Sequence, residues 1–309
     1  MHKIELLAPA QNKDEVKIAI ENGADAVYIG GESFGINTFK KIFTKEDLNE
    51  SILFAHENNK KIYVVVSIMP HDKDFKNIEK YIKELEELNI DAIMISDPGV
   101  LGIAKKVAPN MNIHMNSQAN ITNYVSAQFW HEQGVKRVVL TSELTLEEIA
   151  QIRANTDLEL DIEACVHGLM CISYSGRKLI SNYIHEKGTE SKVKMDSDKK
   201  YNLLEDKRQG EFFPIYEDEA GTFFYNSFDL CMIEHIPDMI KSGITSLKIE
   251  NRVDSKDNLA TIVNVYRQAI DRFNNDINNY EIKDEWIETL SKTTSRQFST
   301  GFYLGRVDD

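Results

Sequence analysis

The sequence predicts a (β/α)8 TIM-type barrel with a long insertion between the seventh and eighth strands. Three observations favour this fold. Eight short apolar segments recur along the 309-residue chain, helical patterns separate them, and one phrase joining a helix end to a strand occurs three times. A doubly wound open sheet is the alternative, but eight strand–helix units in a chain of this length favour a closed barrel.

The predicted strands are short runs rich in valine and isoleucine, bounded by Gly, Pro, Asn or Asp. Such runs are typical of buried strands in a parallel sheet. In chain order they span residues 4–10 (IELLAPA), 25–31 (DAVYIGG), 61–70 (KIYVVVSIMP), 91–99 (DAIMISDPG), 112–120 (NIHMNSQAN), 135–144 (VKRVVLTSEL), 158–168 (LELDIEACVHG) and 246–252 (SLKIENR).

The segments between the strands have the periodicity of amphipathic helices. Apolar side chains fall on one stripe in residues 75–89 and again in residues 258–273. The repeated phrases ENGADAVYIG, ELNIDAIMIS and EQGVKRVVL each indicate a helix end, a glycine or asparagine cap, and a parallel strand. We therefore expect helices to alternate with the strands around the barrel.

One polar segment interrupts the repeat between the seventh and eighth strands. Residues 175–229 are charged and poorly periodic, and we interpret them as an inserted excursion over the barrel mouth. The segment after residue 273 is too short for another domain. We therefore expect a single barrel domain over residues 1–309, with no additional C-terminal domain.

Composition narrows the classes of function. The chain is 42% hydrophobic and 28% charged, with a net charge of -14 and a pI of about 5.1. This acidity argues against unaided binding of nucleic acid, although a basic partner could support it. No apolar run is long enough for a signal peptide or a membrane span. Three cysteines fit a reducing compartment, so we expect a cytoplasmic protein with no membrane partner.

Active sites of this fold lie at the C-terminal ends of the strands. Gln118 and Asn120 favour a binding role there, because two amides at a strand end are poor core material. The candidate catalytic residues are Glu143, His167, Glu250 and Arg252, and the candidate substrate-binding residues are Ser67, Asp97, Gln118, Asn120, Tyr174 and Arg177.

Several of these residues have a structural alternative. Asp97 precedes a proline and could cap the next helix. Ser142, beside Glu143, is expected to cap a helix that follows it. Glu250 and Arg252 share a strand end, where they are either a structural ion pair or an anion-binding arginine with its orienting carboxylate.

The segment CVHGLMCISYSGRKLISNY, residues 165–183, concentrates reactive groups. Cys165 is expected to be a core thiol. His167 and Cys171 have a spacing that could bind one metal ion, with Cys231 as a third ligand, but a structural site usually needs four ligands. A nucleophilic Cys171 activated by His167 is a further possibility that no surrounding motif supports. The residues alone leave the zinc site, the nucleophile and a structural role open.

Phrases along nearly the whole chain resemble the collagenase-like peptidase family U32. They include GADAVYIGG, SQANITNY, VHGLMCISYSGRKLISNY, YNSFDLC and SLKIENR. The resemblance implies a barrel, in agreement with the prediction from periodicity. It also implies one of two activities. Some members are named as proteases, and others take part in oxygen-independent hydroxylation, including formation of 5-hydroxyuridine at the tRNA wobble position, a modification linked to prephenate.

The resemblance also implies a cluster-binding loop that this sequence retains in part. The hydroxylating members hold an iron–sulfur cluster with four cysteines. Cys171 and Cys231 match two of those positions, while Lys178 occupies a third, and residues 188–206 contain no cysteine. We therefore expect remnant cluster ligands and no intact iron–sulfur cluster, since ligation normally needs four thiolates.

The favoured hypothesis is a subunit of a prephenate-linked tRNA wobble-uridine 5-hydroxylation system. The short chain resembles the smaller of two paired paralogues in Gram-positive bacteria. It would bind a small carboxylate at the barrel mouth, with Arg252, Arg177 and His167 facing it. It would form a hetero-oligomer with a larger paralogue and reach tRNA through that complex. The alternatives are a collagenase-like peptidase, for which no nucleophile, base and oxyanion set emerges, and a non-catalytic partner that stabilises the larger paralogue.

Overall fold

Eight parallel strands form a closed barrel at the centre of the computed structural model, which describes residues 4–30, 43–186, 200–204, 207–218, 221–250 and 256–305. Each barrel strand pairs with the next, and the last pairs with both the first and the seventh. The strands in chain order are β1 Glu5–Ala10, β2 Ala26–Gly30, β3 Lys61–Val66, β4 Ala92–Ile95, β5 Ile113–Met115, β6 Arg137–Val139, β7 Asp161–Ser175, β8 Lys200–Leu203, β9 Phe213–Asp218, β10 Gly221–Cys231, β11 Ser246–Glu250 and β12 Phe298–Ser299. The barrel consists of β1 to β7 and β11, which confirms the predicted fold class.

Helices cover the outside of the barrel and alternate with its strands. The helices are α1 Lys13–Glu21, α2 Lys45–Glu57, α3 Phe75–Glu87, α4 Pro98–Val107, α5 Tyr124–Glu132, α6 Leu146–Ala154, α7 Leu179–Glu186, α8 Ile236–Lys241, α9 Lys256–Asn275 and α10 Asp284–Ser291. The two helical stripes predicted from the sequence correspond to α3 and α9. No helix in the described part of the chain is long and apolar enough to cross a membrane.

Side chains point alternately into and out of the barrel along each strand, which divides the hydrophobic core into two regions. Outward-facing residues such as Val64 and Ile249 pack with the helices in one large cluster. Inward-facing residues such as Leu7, Tyr63 and Met94 form a second, smaller cluster inside the barrel. The parity of a residue in its strand therefore decides whether its side chain lies in the barrel or against a helix.

Four predicted strands, the third to the sixth, are shorter than expected, and the seventh is much longer. β5 ends at Met115, because Asn116 accepts a hydrogen bond from the Ser117 amide at 2.9 Å and begins a 3-10 turn. The turn ends at Asn120, whose φ of 53° lies in the left-handed region. β6 likewise ends at Val139. In contrast, β7 continues to Ser175, well beyond the predicted end at residue 168.

The two helix-capping expectations have different outcomes. Asp97 is the N-cap of α4, and its Oδ1 accepts hydrogen bonds from the amides of Gly99 and Val100 at 2.7 and 3.0 Å. The expectation for Ser142 is wrong, because Thr145 caps α6 and forms a capping box with Glu148. That box satisfies amide donors at the helix start, so no cap from Ser142 is needed.

The excursion between the seventh and eighth barrel strands is an antiparallel sheet attached to β7. Past Gly168, β7 pairs with β10, which pairs with β9 and then β8. We call this extension of β7, together with β8, β9 and β10, the roof. It begins at Leu169, before the predicted start at residue 175, because the same strand serves both barrel and roof.

The roof reaches across the barrel. A Cβ atom built on Gly176, just after β7, would lie 2.8 Å from Sδ of Met69 in the loop after β3. In the closed order, β3 and β7 are separated by four strand steps in either direction and so lie on opposite sides. The end of the β7 extension therefore touches the opposite rim.

Candidate functional site

Polar side chains line the inside of the barrel at the C-terminal strand ends, which we call the mouth. Ser67, buried after β3, donates from Oγ to the Met94 carbonyl at 3.2 Å. Asn116, buried after β5, donates from Nδ2 to Ser67 Oγ at 3.1 Å. Strands β3, β4 and β5 thus hold a fixed polar wall, with the predicted binding residue Ser67 at its centre.

A buried cation lies on the other side of the mouth. Lys248 of β11 is 4% exposed, and its Nζ lies 2.9 Å from Oε2 of Glu250, whose side chain is 43% exposed. The ammonium also lies 4.7 Å from the centre of the Tyr28 ring. Burial alone would lower the pKa of Lys248, but the charge of Glu250 and other acidic neighbours raises it well above its ordinary value. Lys248 is therefore a permanent positive charge.

Cys165 completes this cluster. Its register partner on β11 is Lys248, and its thiol donates to Oε2 of Glu250 at 3.6 Å. Burial, together with the negative charge of Glu250, raises the pKa of Cys165. The half-buried thiol is therefore protonated and contacts a carboxylate, and it also packs against the hydrophobic core, as the sequence suggested. It is a hydrogen-bond donor and a poor nucleophile.

Two buried oxygen atoms at the mouth have no hydrogen-bond partner among the described residues. They are Oγ1 of Thr141, which is 5% exposed, and Oε1 of Gln118. Continuing the β6–β7 register, in which Val139 pairs with Glu163, places Thr141 beside Cys165. Buried polar atoms are usually satisfied, so these two atoms can bind a polar ligand.

The structure places His167 away from the mouth. Its register partner is Ile249, which faces the helices, and the imidazole lies between the rings of Tyr266 and Phe298. Nδ1 is 3.3 Å from the Tyr266 hydroxyl. Burial lowers the pKa of His167 to about 4. This histidine is neutral near pH 7 and does not join the cluster around Lys248.

The other predicted residues are dispersed. Glu143 is exposed in the loop after β6, and Asn120 is exposed at the end of the 3-10 turn. Tyr174 and Arg177 belong to the roof end: the Tyr174 ring stacks on Phe223 with centroids 4.7 Å apart, and Arg177 is exposed. Ser67, Gln118 and Glu250 therefore lie at C-terminal strand ends around the mouth, whereas Glu143, Asn120, Tyr174 and Arg177 lie in its loops or at the roof end.

Two further predicted residues have a different status. Asp97 uses its carboxylate to cap α4, as described above. Arg252 lies outside the described residues, as does the predicted pairing of its guanidinium with Glu250. Within the described residues, Glu250 pairs with the Lys248 ammonium and accepts a hydrogen bond from the Cys165 thiol.

The two cysteines expected to be remnant cluster ligands lie on different parts of the roof. Cys171 is exposed and pairs with Tyr225, whereas Cys231 is half-buried and pairs with His167. Four residues of an extended strand therefore separate them, or about 13 Å. Two thiolates this far apart do not bind one metal ion, whose bonds to sulfur are about 2.3 Å long.

An iron–sulfur cluster held by this chain alone does not fit these residues. The whole chain contains three cysteines, and the third, Cys165, lies inside the barrel. Among the described residues, no group of three or more His, Cys, Asp or Glu side chains could hold a metal ion. A four-thiolate set is therefore incomplete in one copy of the chain.

A second charged group fills the opposite, N-terminal end of the barrel. Arg137, buried on β6, contacts the carboxylate of Glu5, Glu163 at 3.1 Å and the hydroxyl of Ser246 at 3.3 Å. Tyr63 donates to Glu5 at 2.7 Å. Burial alone would raise the pKa of Glu5, but Arg137 and the other donors hold it below its usual value. This network closes the barrel floor and is structural.

The sequence analysis did not predict Lys248, Thr141 or Asn116 as mouth residues. The alternation of side chains along the strand could have identified Lys248. In SLKIENR, Ser246, Lys248 and Glu250 alternate with Leu247 and Ile249, so a lysine must face into the barrel if the leucine faces the helices. A lysine inside a barrel requires a counter-ion, because an unpaired buried charge is unfavourable. Lys248 and Glu250 in this sequence therefore indicate a charged pair at the mouth.

Comparison with known proteins gives the family. The model described as Peptidase family U32 matches residues 11–309, nearly the whole chain. The chain belongs to peptidase family U32. This confirms the resemblance seen in the sequence phrases.

Proteins similar to this chain include two from Bacillus subtilis. One, tRNA hydroxylation protein P1, is 38% identical over 98% of this chain and 71% of its own length. The other, tRNA hydroxylation protein P2, is 31% identical over 98% of each chain. The solved structure of the U32 peptidase Mk0906 matches 81% of this chain and 93% of its own, with a TM-score of 0.51 and 9% identity, and supports the fold alone.

Proposed function

We propose that this chain is a component of a tRNA hydroxylation system that forms 5-hydroxyuridine at the wobble position. One observation carries the proposal: the similarity to the two Bacillus subtilis tRNA hydroxylation proteins extends over 98% of the chain in both comparisons. The similarity spans both barrel and roof, so it supports a shared role for the whole chain.

We propose that the chain works in the cytoplasm as a hetero-oligomer with a larger paralogue. Two such relatives occur together in Bacillus subtilis, one matched over 71% of its length and the other over 98%. The net charge of -14 opposes direct binding of a polyanion. A partner that supplies the basic surface would bring tRNA to the complex.

We further propose that the mouth binds a small carboxylate, with prephenate as the candidate. Lys248 supplies a fixed positive charge, and Thr141 and Gln118 supply buried oxygen atoms with no partner among the described residues. Arg252 follows β11 directly in the sequence and remains part of this hypothesis, although it lies outside the described residues. A carboxylate site needs a cation with nearby hydrogen-bonding side chains, and the mouth supplies both.

A collagenase-like peptidase is the alternative that the family name suggests. Two groups at the mouth, Cys165 and Ser67, are poorly suited to act as its nucleophile. Cys165 is held protonated by burial and by Glu250, and Ser67 already donates its hydroxyl proton to a main-chain carbonyl. These features count against peptide hydrolysis by Cys165 or Ser67. A non-catalytic role as a stabilising partner is the third hypothesis.

Deletion of the gene followed by mass spectrometry of tRNA nucleosides tests the proposal. We expect wobble 5-hydroxyuridine to fall in the deletion strain and to return when the wild-type gene is restored. Unchanged 5-hydroxyuridine in the deletion strain would refute the proposal. Co-purification of a tagged chain with the larger paralogue tests the hetero-oligomer separately.

A further inference from the structure

The ion pair at the mouth is asymmetric. The cation, Lys248, is 4% exposed inside the barrel, whereas the side chain of its partner Glu250 is 43% exposed. Tyr28, Cys165 and Glu163 surround the lysine on the inside and lie close enough to influence its charge. The positive charge is therefore fixed in place, while its counter-ion lies at the solvent boundary.

This asymmetry makes the counter-ion exchangeable. Moving Lys248 out of the barrel would require its long side chain to leave a packed interior. Moving Glu250 only returns a half-exposed carboxylate to water, which solvates it well. An incoming carboxylate can then take its place, because Lys248 keeps an anionic partner throughout the exchange.

Polar groups beside the Lys248–Glu250 pair could also contact a ligand bound at the mouth. Thr141 Oγ1, close to Cys165 by register, is buried and has no partner among the described residues. The Cys165 thiol, which donates to Glu250, would need a new acceptor once Glu250 moved. A carboxylate with two oxygen atoms can accept from both Lys248 and Cys165.

We propose that Lys248 is the anchoring cation of the mouth and that Glu250 is its resting counter-ion, which a small carboxylate ligand displaces. The inference deepens the proposed carboxylate site and rests on it. It assigns Glu250 a different role from a catalytic group or an orienting partner of Arg252: in the resting barrel, Glu250 occupies the place that the ligand's carboxylate takes.

Calorimetric titration of prephenate, and of succinate as a simpler carboxylate, into three variants tests the exchange. Removing the competing carboxylate with Glu250→Gln should tighten binding about tenfold relative to wild type. Lys248→Met should weaken it at least about tenfold. The control is Glu87→Gln, which makes the same change in net charge on an exposed residue at the end of α3 and should leave binding unchanged. Melting curves establish that each variant is folded.

The outcomes separate the competing roles. Weaker binding by Glu250→Gln would mean that Glu250 itself contacts the ligand, and unchanged binding would mean that it does not compete. Either result overturns the exchange. If neither wild type nor Glu250→Gln binds either carboxylate, the exchange and the carboxylate site both fail. The role in tRNA hydroxylation is then judged on the nucleoside measurement alone.

Discussion

At the residue scale, the barrel holds two buried cations with different surroundings. Arg137 at the floor contacts Glu5 and Glu163, whose side chains are 12% and 0% exposed, and also Asp161, whose side chain is 47% exposed. Lys248 at the mouth has a partner that reaches solvent. Arg137 keeps two buried carboxylates even if the exposed Asp161 moves away, which suits a group that holds strands in register. The carboxylate paired with Lys248 is itself half-exposed, and this favours its exchange in the proposed ligand site.

The floor network predicts a large loss of stability when its cation is removed. Arg137→Met leaves the Glu5 and Glu163 carboxyl groups without their partner and should lower the free energy of unfolding by about 3–5 kcal/mol. Lys83→Ala removes an exposed helix pair with Glu79 and should change the free energy of unfolding far less. Urea denaturation of both variants checks this. Equal effects would mean that the floor charges contribute no more than surface charges.

The buried His167 predicts a pH-dependent term in stability. Its pKa is about 4 in the folded chain and 6.5 ordinarily, so only the unfolded chain binds the proton as pH falls below 6.5. Stability present above pH 6.5 is therefore lost between pH 6.5 and 4, with about 2 kcal/mol lost by pH 5. His167→Asn, whose amide can approach the Tyr266 hydroxyl, should lack this term.

Denaturation of wild type and His167→Asn at pH 7.5 and 5 measures the difference. Other titrating groups, including the buried His114, are present in both proteins and largely cancel. The stability gap between the two proteins should narrow at pH 5. A constant gap would show that His167 is protonated in the folded chain, and that it lies in a more polar environment than the one described.

At the element scale, the roof depends on a tight contact between β10 and the end of β7. Gly221 has a φ of 135°, and a Cβ atom there would lie 2.0 Å from the Ser175 carbonyl oxygen. Gly221→Ala should therefore lower stability by more than about 2 kcal/mol through strain and main-chain displacement. Hydrogen exchange should increase in β9 and β10 and remain slow in the barrel strands.

A second glycine provides the control for Gly221. Gly102 lies in α4, where an added Cβ atom would have nothing within 4 Å, so Gly102→Ala should be neutral or stabilising by up to about 1 kcal/mol. If both substitutions are neutral, the contact between Gly221 and Ser175 does not hold the roof. If hydrogen exchange increases throughout the barrel, roof and barrel unfold together.

The sequence predicted the barrel strands but not the roof strands, and the difference has a physical reason. The barrel strands were visible because strands covered on both faces are apolar throughout. The roof strands β8 to β10 were missed because exposed apolar residues, such as Leu203 in β8 and Phe212 just before β9, lie among polar ones and give no clear alternation. The end of β5 was misplaced because the side chain of Asn116 starts a turn, a local bond that periodicity does not report.

At the scale of the whole molecule, the fold was predicted from the sequence, but only some of the residues at the mouth were. Ser67, Gln118 and Glu250 were found by position at strand ends. Lys248 was missed because a lysine is typical of a solvent-facing position until the parity of its neighbours is used. His167 was grouped with the mouth, but an irregularity between Lys248 and Ile249 in the pairing of β11 with β7 aligns it with a helix-facing residue. Such a register shift cannot be predicted from the sequence.

We propose that the mouth of this barrel supports hydroxylation of tRNA. The most direct test is the wobble 5-hydroxyuridine content of a deletion strain that expresses wild type, Lys248→Met or the surface control Lys83→Ala at matched levels. Wild type and Lys83→Ala should restore 5-hydroxyuridine, and Lys248→Met, shown to be folded by its melting curve, should restore less than about a tenth of it. Full restoration by Lys248→Met would contradict the claim.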